Sequence, residues 1–559
     1  MAYFLKKATL KGRTYLSIVE SFYSHEKKGT AHRTYKSLGS IETHKANGVV
    51  DPIAFYQQEV DALNQSRNDA GTRKITDKSP LLHVGYFPIK GILEKLNVKK
   101  HIDYFKLTTD FDFDIYELLS TLIYARCVNP CSKRRTFHEV LPNLYSSFHY
   151  SYDQLLDGLS FIGTNYQKFV EIFNVCASDK FGIDTSTTYF DCTNFYFEID
   201  REDDFRRKGP SKENRKSPIV GLGLLLDQNQ IPIGMEIYPG NESEKPVLMD
   251  VVNALKTRSH IAGRTIHVAD KGLNCANNIA DSKKNGDGYI FSKSVKMLPK
   301  IEKEWVLLPN DYISIKGKNG KEIYRYKSCV DKFPYTVEHN GKRLTVLLTE
   351  KRLVTFNPEL AAKKKYEIKK MIEKASSLTM SRAKKSEYGE TGKYVKFTDD
   401  KGGKAQVHLN QDAIDKDLEL AGYNLIVTSE VNMPDKSIYD VYHNLWRIEE
   451  SFKIMKSDLD ARPVYVQKES TIKGHFLVCY LSVLLGRLFQ FKVLNNKYGT
   501  PVIYKFIKDF RVTKGEGKYI NTTMDSDFII ALSQYTGLPL RNYYLSETQL
   551  RSILNYIPK

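Results

Sequence analysis

The sequence predicts a mixed α/β fold, a sheet flanked by helices. Two observations carry this. Three apolar runs stand close together between about 185 and 239, TTYFDCTNFYFEI, IVGLGLLLD and IPIGMEIYPG, separated by polar turn residues, as neighbouring short strands are. Helical and strand-like segments then alternate, KPVLMDVVNALK, RTIHVAD, NCANNIADSKK and GYIFSKS, which is the rhythm of an α/β sheet.

The remaining elements follow in order. Residues 1–50 read as a small basic β module, with RTYLSIVESFY and TAHRTYKSLG as strands joined by HEKKG. Residues 51–180 have helical spacing, in DPIAFYQQEVDAL, PIKGILEKLN, DIYELLSTLIYARCV and NYQKFVEIFNVCASDKF. Asp51-Pro52 and Thr164-Asn165 are the expected helix starts. Residues 181–295 hold the first part of the sheet. The block 296–420 breaks the rhythm: WVLLP, YISIKG, EIYRYKSCV and RLTVLLTE read as antiparallel strands, followed by a Lys-rich helix, NPELAAKKKYEIKKMIEKA. This is a β-rich, basic insertion. The core resumes over 421–492 with the strand GYNLIVTSE and the helix SIYDVYHNLWRIEESFKIMKSDLD, and 493–559 reads as a helical C-terminal region.

Composition narrows the function. Hydrophobic residues at 41% and charged residues at 27% exclude disorder as the main state. Lys and Arg number 84 against 66 Asp and Glu, a net charge of +18, and that excess points to a polyanionic partner. The 7 cysteines are scattered, so they predict a reducing compartment rather than a disulfide framework. The N-terminus lacks the apolar stretch of a signal peptide. The longest apolar run, Phe476 to Phe491, carries Arg487 and is short for a membrane span, so it reads as a buried core helix. A cytoplasmic protein is expected. No Gly-rich nucleotide fingerprint and no His cluster speaks for a metabolic enzyme.

Three carboxylates stand where chemistry can occur. Asp191 closes the strand-like TTYFD, with Thr193 and Asn194 just after it, and Asp270 ends RTIHVAD ahead of Lys271. Both are expected at strand ends of one sheet, where ligands approach. The third is Glu449. Around it Leu445, Ile448, Phe452, Met455 and Leu459 make an apolar stripe at helical spacing. Tyr442, Glu449 and Lys456 recur every seven residues and so keep to one edge of that stripe. Glu450 is turned by about 100° and is expected to face solvent. Two strand carboxylates and one from a helix suit Mg²⁺, which takes oxygen ligands. Two such ions can activate a hydroxyl and stabilise the leaving oxygen at a phosphodiester. Neighbouring Lys and Arg must offset the repulsion between such a cluster and DNA.

These residues resemble the DDE transposases of bacterial insertion sequences, in the group whose third motif reads Tyr, two residues, Arg, three residues, Glu, six residues, Lys. Tyr442, Glu449 and Lys456 match that spacing; Leu445 stands at the Arg position, and Arg447 is out of register. GPSKENRKSPIVGLGLLLDQNQIPIGMEIYPGNESEKP, HVADKGLNCANNI, GYNLIVTSE and KSDLDARPVY are also similar to family segments, so the resemblance covers roughly 185–492. It implies a ribonuclease H-like mixed sheet, interrupted by an insertion before the last catalytic helix. It implies cut-and-paste transposition of double-stranded DNA, from terminal inverted repeats into a target, by a protein that pairs as a homodimer on DNA ends. It implies two Mg²⁺ ions, replaceable by Mn²⁺, on Asp191, Asp270 and Glu449. Tyr442 and Lys456 would contact phosphate near the cut. Lys271, Lys212 and Arg215 are further DNA-binding candidates, and Trp305 is a candidate platform for a flipped base. Two competing functions remain: a catalytically silent DNA-binding derivative, and a nuclease that cuts without joining.

Overall fold

A computed structural model describes residues 2–24, 29–71, 81–210, 217–242, 244–258, 263–339, 342–380, 387–398, 406–515 and 517–559. They form two compact units, Met1–Ser79 and Pro80–Lys559.

The first unit is an antiparallel sheet of β1 (Tyr3–Leu10), β2 (Arg13–Ser24) and β3 (Gly29–Ser40), followed by α1 (Ile41–Ala46) and α2 (Pro52–Gly71). The Ser40 hydroxyl caps α1 by accepting from the Thr43 amide. Leu16, Ile18 and Val60 are buried, and buried Glu20 accepts from Arg33 and Arg67. Lys6, Lys7, Lys11 and Arg13 are exposed, so the module shows a basic surface. Its boundary falls after α2 rather than near residue 50.

The second unit opens with β4 (Leu81–His83) and the helices α3 (Phe87–Leu96), α4 (Lys99–Lys106), α5 (Ile115–Val128), α6 (Lys133–Arg135), α7 (Tyr152–Thr164) and α8 (Tyr166–Phe181). A π turn, Thr136–Val140, continues α6. Asp114 caps α5, and Ser151 with Gln154 forms a capping box on α7. Next comes an antiparallel meander of β5 (Thr187–Tyr196), β6 (Ile219–Leu226) and β7 (Pro232–Pro239). After α9 (Glu244–Arg258), β8 (Ile266–Ala269), α10 (Ala276–Lys284) and β9 (Gly288–Lys293) form a βαβ unit, with β8 parallel to β5 and β9 parallel to β8. The spatial order 7-6-5-8-9, with β5 at the centre, is the ribonuclease H-like mixed sheet.

The insertion contributes α11 (Lys300–Leu307), β10 (Ile313–Lys316), β11 (Glu322–His339), β12 (Lys342–Phe356), α12 (Pro358–Met380), β13 (Val395–Thr398), β14 (Gln406–Leu409) and α13 (Gln411–Glu419). WVLLP, read as a strand, lies instead in and after α11, because Trp305 and Val306 bury the inner face of a helix against the sheet. The core then returns with β15 (Tyr423–Thr428), α14 (Asp435–His443) and α15 (Trp446–Lys453). The inserted strands prolong the core sheet, whose full order is β10-β11-β12-β15-β9-β8-β5-β6-β7. Buried Glu350 of β12 locks the junction, accepting from Tyr289 of β9 at 2.9 Å and from Tyr335 of β11 at 2.6 Å.

The chain closes with α16 (Glu469–Leu488), α17 (Thr500–Asp509), β16 (Arg511–Lys514), β17 (Tyr519–Asn521), α18 (Asp527–Thr536), β18 (Tyr544–Leu545) and α19 (Glu547–Leu554). The C-terminal region was expected to be helical, yet β16, β17 and β18 join β4 in a four-stranded sheet. Helix α16 and the π turn that continues it, Phe489–Val493, contain the long apolar run and are largely buried inside the fold, as expected. It meets α7 at backbone distance: a Cβ at Gly163 would fall on the Ser470 carbonyl, and one at Gly474 on the Leu159 carbonyl. Strand alternation divides the sheet into two faces. Tyr189, Phe195 and Val268 face a core built with α3, α5, α7, α8 and α16. Phe190, Cys192 and Ala269 face a second core built with α9, α10 and α11.

Candidate active site

Strand β5 is buried along its length except at Asp191 and Tyr196, which are half-buried. Asp191 sits within the strand, not at its end, because pairing with β6 carries β5 on to Tyr196. On the other side β8 pairs with it only from Thr187↔Ile266 to Phe190↔Ala269. The next residues on the two strands are Asp191 and Asp270. In a parallel pair the strands lie about 4.8 Å apart, so the register ends on neighbouring backbone positions immediately before these two carboxylates. Alternation puts both on the face of Tyr189 and Val268, the face that α14 and α15 cover.

Helices α14 and α15 meet at Asn444 and Leu445 through tight bonds, Leu445 N to Tyr442 O and Ile448 N to Leu445 O, both 3.1 Å. A π turn, Ile454–Asp458, continues α15. The apolar stripe packs as predicted, with Ile448, Phe452, Met455 and Leu459 buried and Leu445 half-buried against the core. Leu445, at the Arg position of the family motif, is thus a packing residue.

The seven-residue series brackets the site. The Tyr442 hydroxyl donates to Asp270 Oδ1 at 3.1 Å. Burial first, and the Asp270 charge second, hold the phenol well above its ordinary pKa, so it remains a donor. At the other end Lys456 Nζ donates to Thr193 Oγ1 at 2.8 Å and lies 5.4 Å from the Phe195 ring centroid. Thr193 shares a strand face with Asp191 two residues away. Glu449, midway between Tyr442 and Lys456 in sequence, is exposed.

Glu450 departs from expectation. Its carboxylate pairs with Arg487 at 3.0 Å, and Arg487 is fully buried. A buried guanidinium needs a counter-charge, and Glu450 supplies it, so Glu450 is structurally committed while Glu449 remains open to solvent. Among the described residues no three His, Cys, Asp or Glu side chains form a ready-made metal cage. The candidate donors are oxygens: one carboxylate in β5, one just past the end of β8, and one on α15, which packs on the same face of the sheet. That set fits a hard divalent cation.

Lys271 is exposed beside Asp270 and lines a cleft of about 390 Å³ with Lys293, Lys296, Lys363 and Lys364. Trp305 is half-buried against the second core, with Lys327 Nζ 5.1 Å from its ring centroid. Lys212 and Arg215 lie outside the described residues. Sequence reasoning missed the tie between Lys456 and Thr193 as a pair, although both residues stood in the quoted motifs.

These residues stand on a ribonuclease H-like mixed sheet. The sequence pattern of a family described as transposase DDE domain matches residues 185–485, and the chain belongs to that family of DNA transposases. The comparison with curated proteins found no match.

Proposed function

We propose that this transposase cleaves double-stranded DNA at the inverted repeats of its element and joins the freed ends to target DNA, as cut-and-paste transposition requires. The observation that supports the reading is the Phe190↔Ala269 register, which ends immediately before Asp191 and Asp270 on strands whose face α15, the Glu449 helix, packs against. Asp191, Asp270 and Glu449 are the residues proposed to hold two Mg²⁺ ions, with Mn²⁺ an acceptable substitute. When bound, such ions activate the attacking hydroxyl and stabilise the leaving oxygen. Tyr442 orients the Asp270 carboxylate through its hydroxyl. Lys456, fixed on Thr193, presents its charge to a phosphate beside the cut. Lys271 extends the positive face, and Lys212 and Arg215 are proposed to add to it. A homodimer on paired DNA ends completes the reading.

The test is Asp191→Asn, which keeps size and hydrogen bonding but removes a charge. With Mg²⁺ present, end cleavage and strand transfer should both fall by about three orders of magnitude, roughly 4 kcal/mol of barrier. Gel shifts on the same fragment should be unchanged. Near-normal cleavage would refute the ligand assignment. Wild-type protein that cuts but never joins would replace transposition by simple nuclease activity.

A further inference from the structure

A cavity of about 520 Å³ lies between the turn that opens α6 and the loop that follows the Glu449 helix. Its lining is cationic: Arg126, Lys133, Arg135 and Arg462 contribute to it against one carboxylate, Asp460, which is exposed. Lys133 is only 5% exposed. Among the described residues it forms no ion pair, and its hydrogen-bond partner is His475 Nδ1 at 3.4 Å. That imidazole gives no charge in return. Its Nε2–H donates to the Ala461 carbonyl at 2.9 Å, and burial with two nearby cations holds it neutral, well below its ordinary pKa. Buried Arg126 donates to the carbonyls of Leu459 (3.3 Å), Asp460 (3.4 Å) and Cys131 (3.0 Å), so among the described residues its hydrogen-bond partners are carbonyl dipoles. Burial, and Arg126 next, push Lys133 down to about 7. An enclosed ammonium without an anion is costly, and a bound anion would supply the missing charge.

We propose that this cavity binds a phosphate group of a DNA strand crossing the catalytic face, with Lys133 and Arg462 as its cationic contacts. The inference rests on the DNA-processing reading and extends it. The cavity adjoins the element that covers that face: its lining residues Asp460 and Arg462 follow shortly after the π turn that continues the Glu449 helix. The Arg462 guanidinium lies 4.9 Å from the ring centroid of Tyr196, the last residue of β5, which alternation turns to the other side of the sheet from Asp191. Tyr196 is five residues beyond Asp191, roughly 17 Å along the strand, or about five base steps of a duplex. Lys456 lies between the two positions.

The test titrates full-length protein with inorganic phosphate, reading melting temperature and calorimetric affinity, and measures duplex binding across salt concentrations. Phosphate should raise the wild-type melting temperature. Lys133→Met should lose that shift and bind phosphate at least about tenfold more weakly, while melting higher than wild type in phosphate-free buffer, because an unpaired buried charge has gone; this gain excludes misfolding. Lys133→Arg should keep part of the shift. In duplex binding, Lys133→Met should flatten the slope of log K against log salt by about 0.9, one phosphate contact. An absent wild-type shift, or an undiminished one in Lys133→Met, would overturn the proposal. A lost shift with an unchanged DNA slope would overturn the DNA assignment and leave a free-phosphate site. Asp191→Asn must retain the phosphate shift, so failure of catalysis and failure of this cavity read out separately.

Discussion

Glu449 and Glu450 are adjacent in sequence and divided in role, and the division tests the site at the scale of one residue. Glu449→Gln should abolish Mg²⁺-dependent cleavage and leave the melting temperature within a degree or so of wild type, since an exposed side chain contributes little to stability. Glu450→Gln should do the reverse in stability, costing about 2–4 kcal/mol by leaving Arg487 buried without its counter-charge. The lower part of that range applies because Glu450 retains about a quarter of its side chain in water. Denaturant titrations of both variants beside cleavage assays check this, and a destabilised Glu449→Gln with a stable Glu450→Gln would reverse the assignment. The stripe that places Glu449 was legible because Ile448, Phe452 and Met455 repeat at helical spacing. The fate of Glu450 was not, because its partner Arg487 is 37 residues away inside an apolar run that gives no sign of a buried ion pair.

At the scale of elements, the sheet strands from β5 to β9 were legible because each is a continuous apolar run bounded by turn residues. The strands β4, β16, β17 and β18 were not. They have between two and four residues, too few for any period to emerge. Their pairing still has a measurable consequence. His83 on β4 registers with Arg511 on β16, and burial first, then the Arg511 charge, hold the imidazole down at about 4. The unfolded chain takes up this proton near pH 6.5, whereas the folded one resists until about pH 4. The unfolded state therefore binds more protons in between, and stability is lost as pH falls through that window, by about 3 kcal/mol at most. His83→Gln should flatten the acid limb of the urea midpoint between pH 6.5 and 4. An identical pH profile in the variant would show that His83 is not the group concerned.

At the scale of the whole molecule, the excess of positive charge is distributed and not confined to one arm. The first unit exposes Lys6, Lys7, Lys11 and Arg13. In the second, Lys363 and Lys364 of α12 line the cleft that also contains Lys271, the neighbour of Asp270. Replacing Lys363, Lys364 and Lys365 with Gln should flatten the salt dependence of duplex binding by up to about two phosphate contacts, near 0.9 each, with Lys363 and Lys364 carrying the effect. Single substitutions showing that Lys365 alone accounts for it would move the DNA path away from the cleft. The sequence reading recognised the insertion as an interruption of the α/β rhythm. It did not reveal that the inserted strands would extend the same sheet, because the alternation of a strand fixes its faces and not its neighbour.

That continuity constrains how chains of this kind can diverge. Between Arg325↔Phe356 and His339↔Lys342 every residue of β11 has a partner on β12, and Lys351 to Phe356 are also paired with β15. A single inserted codon within this ladder would turn every side chain beyond it to the opposite face or force a bulge. Relatives with longer or shorter arms should therefore differ beyond the His339–Lys342 end, and by whole rungs, two residues at a time. The stretch from Lys351 to Phe356 should keep its length, because a frame of β12 shifted there would displace β15 and, through it, the helices that follow in the chain, α15 with Glu449 among them.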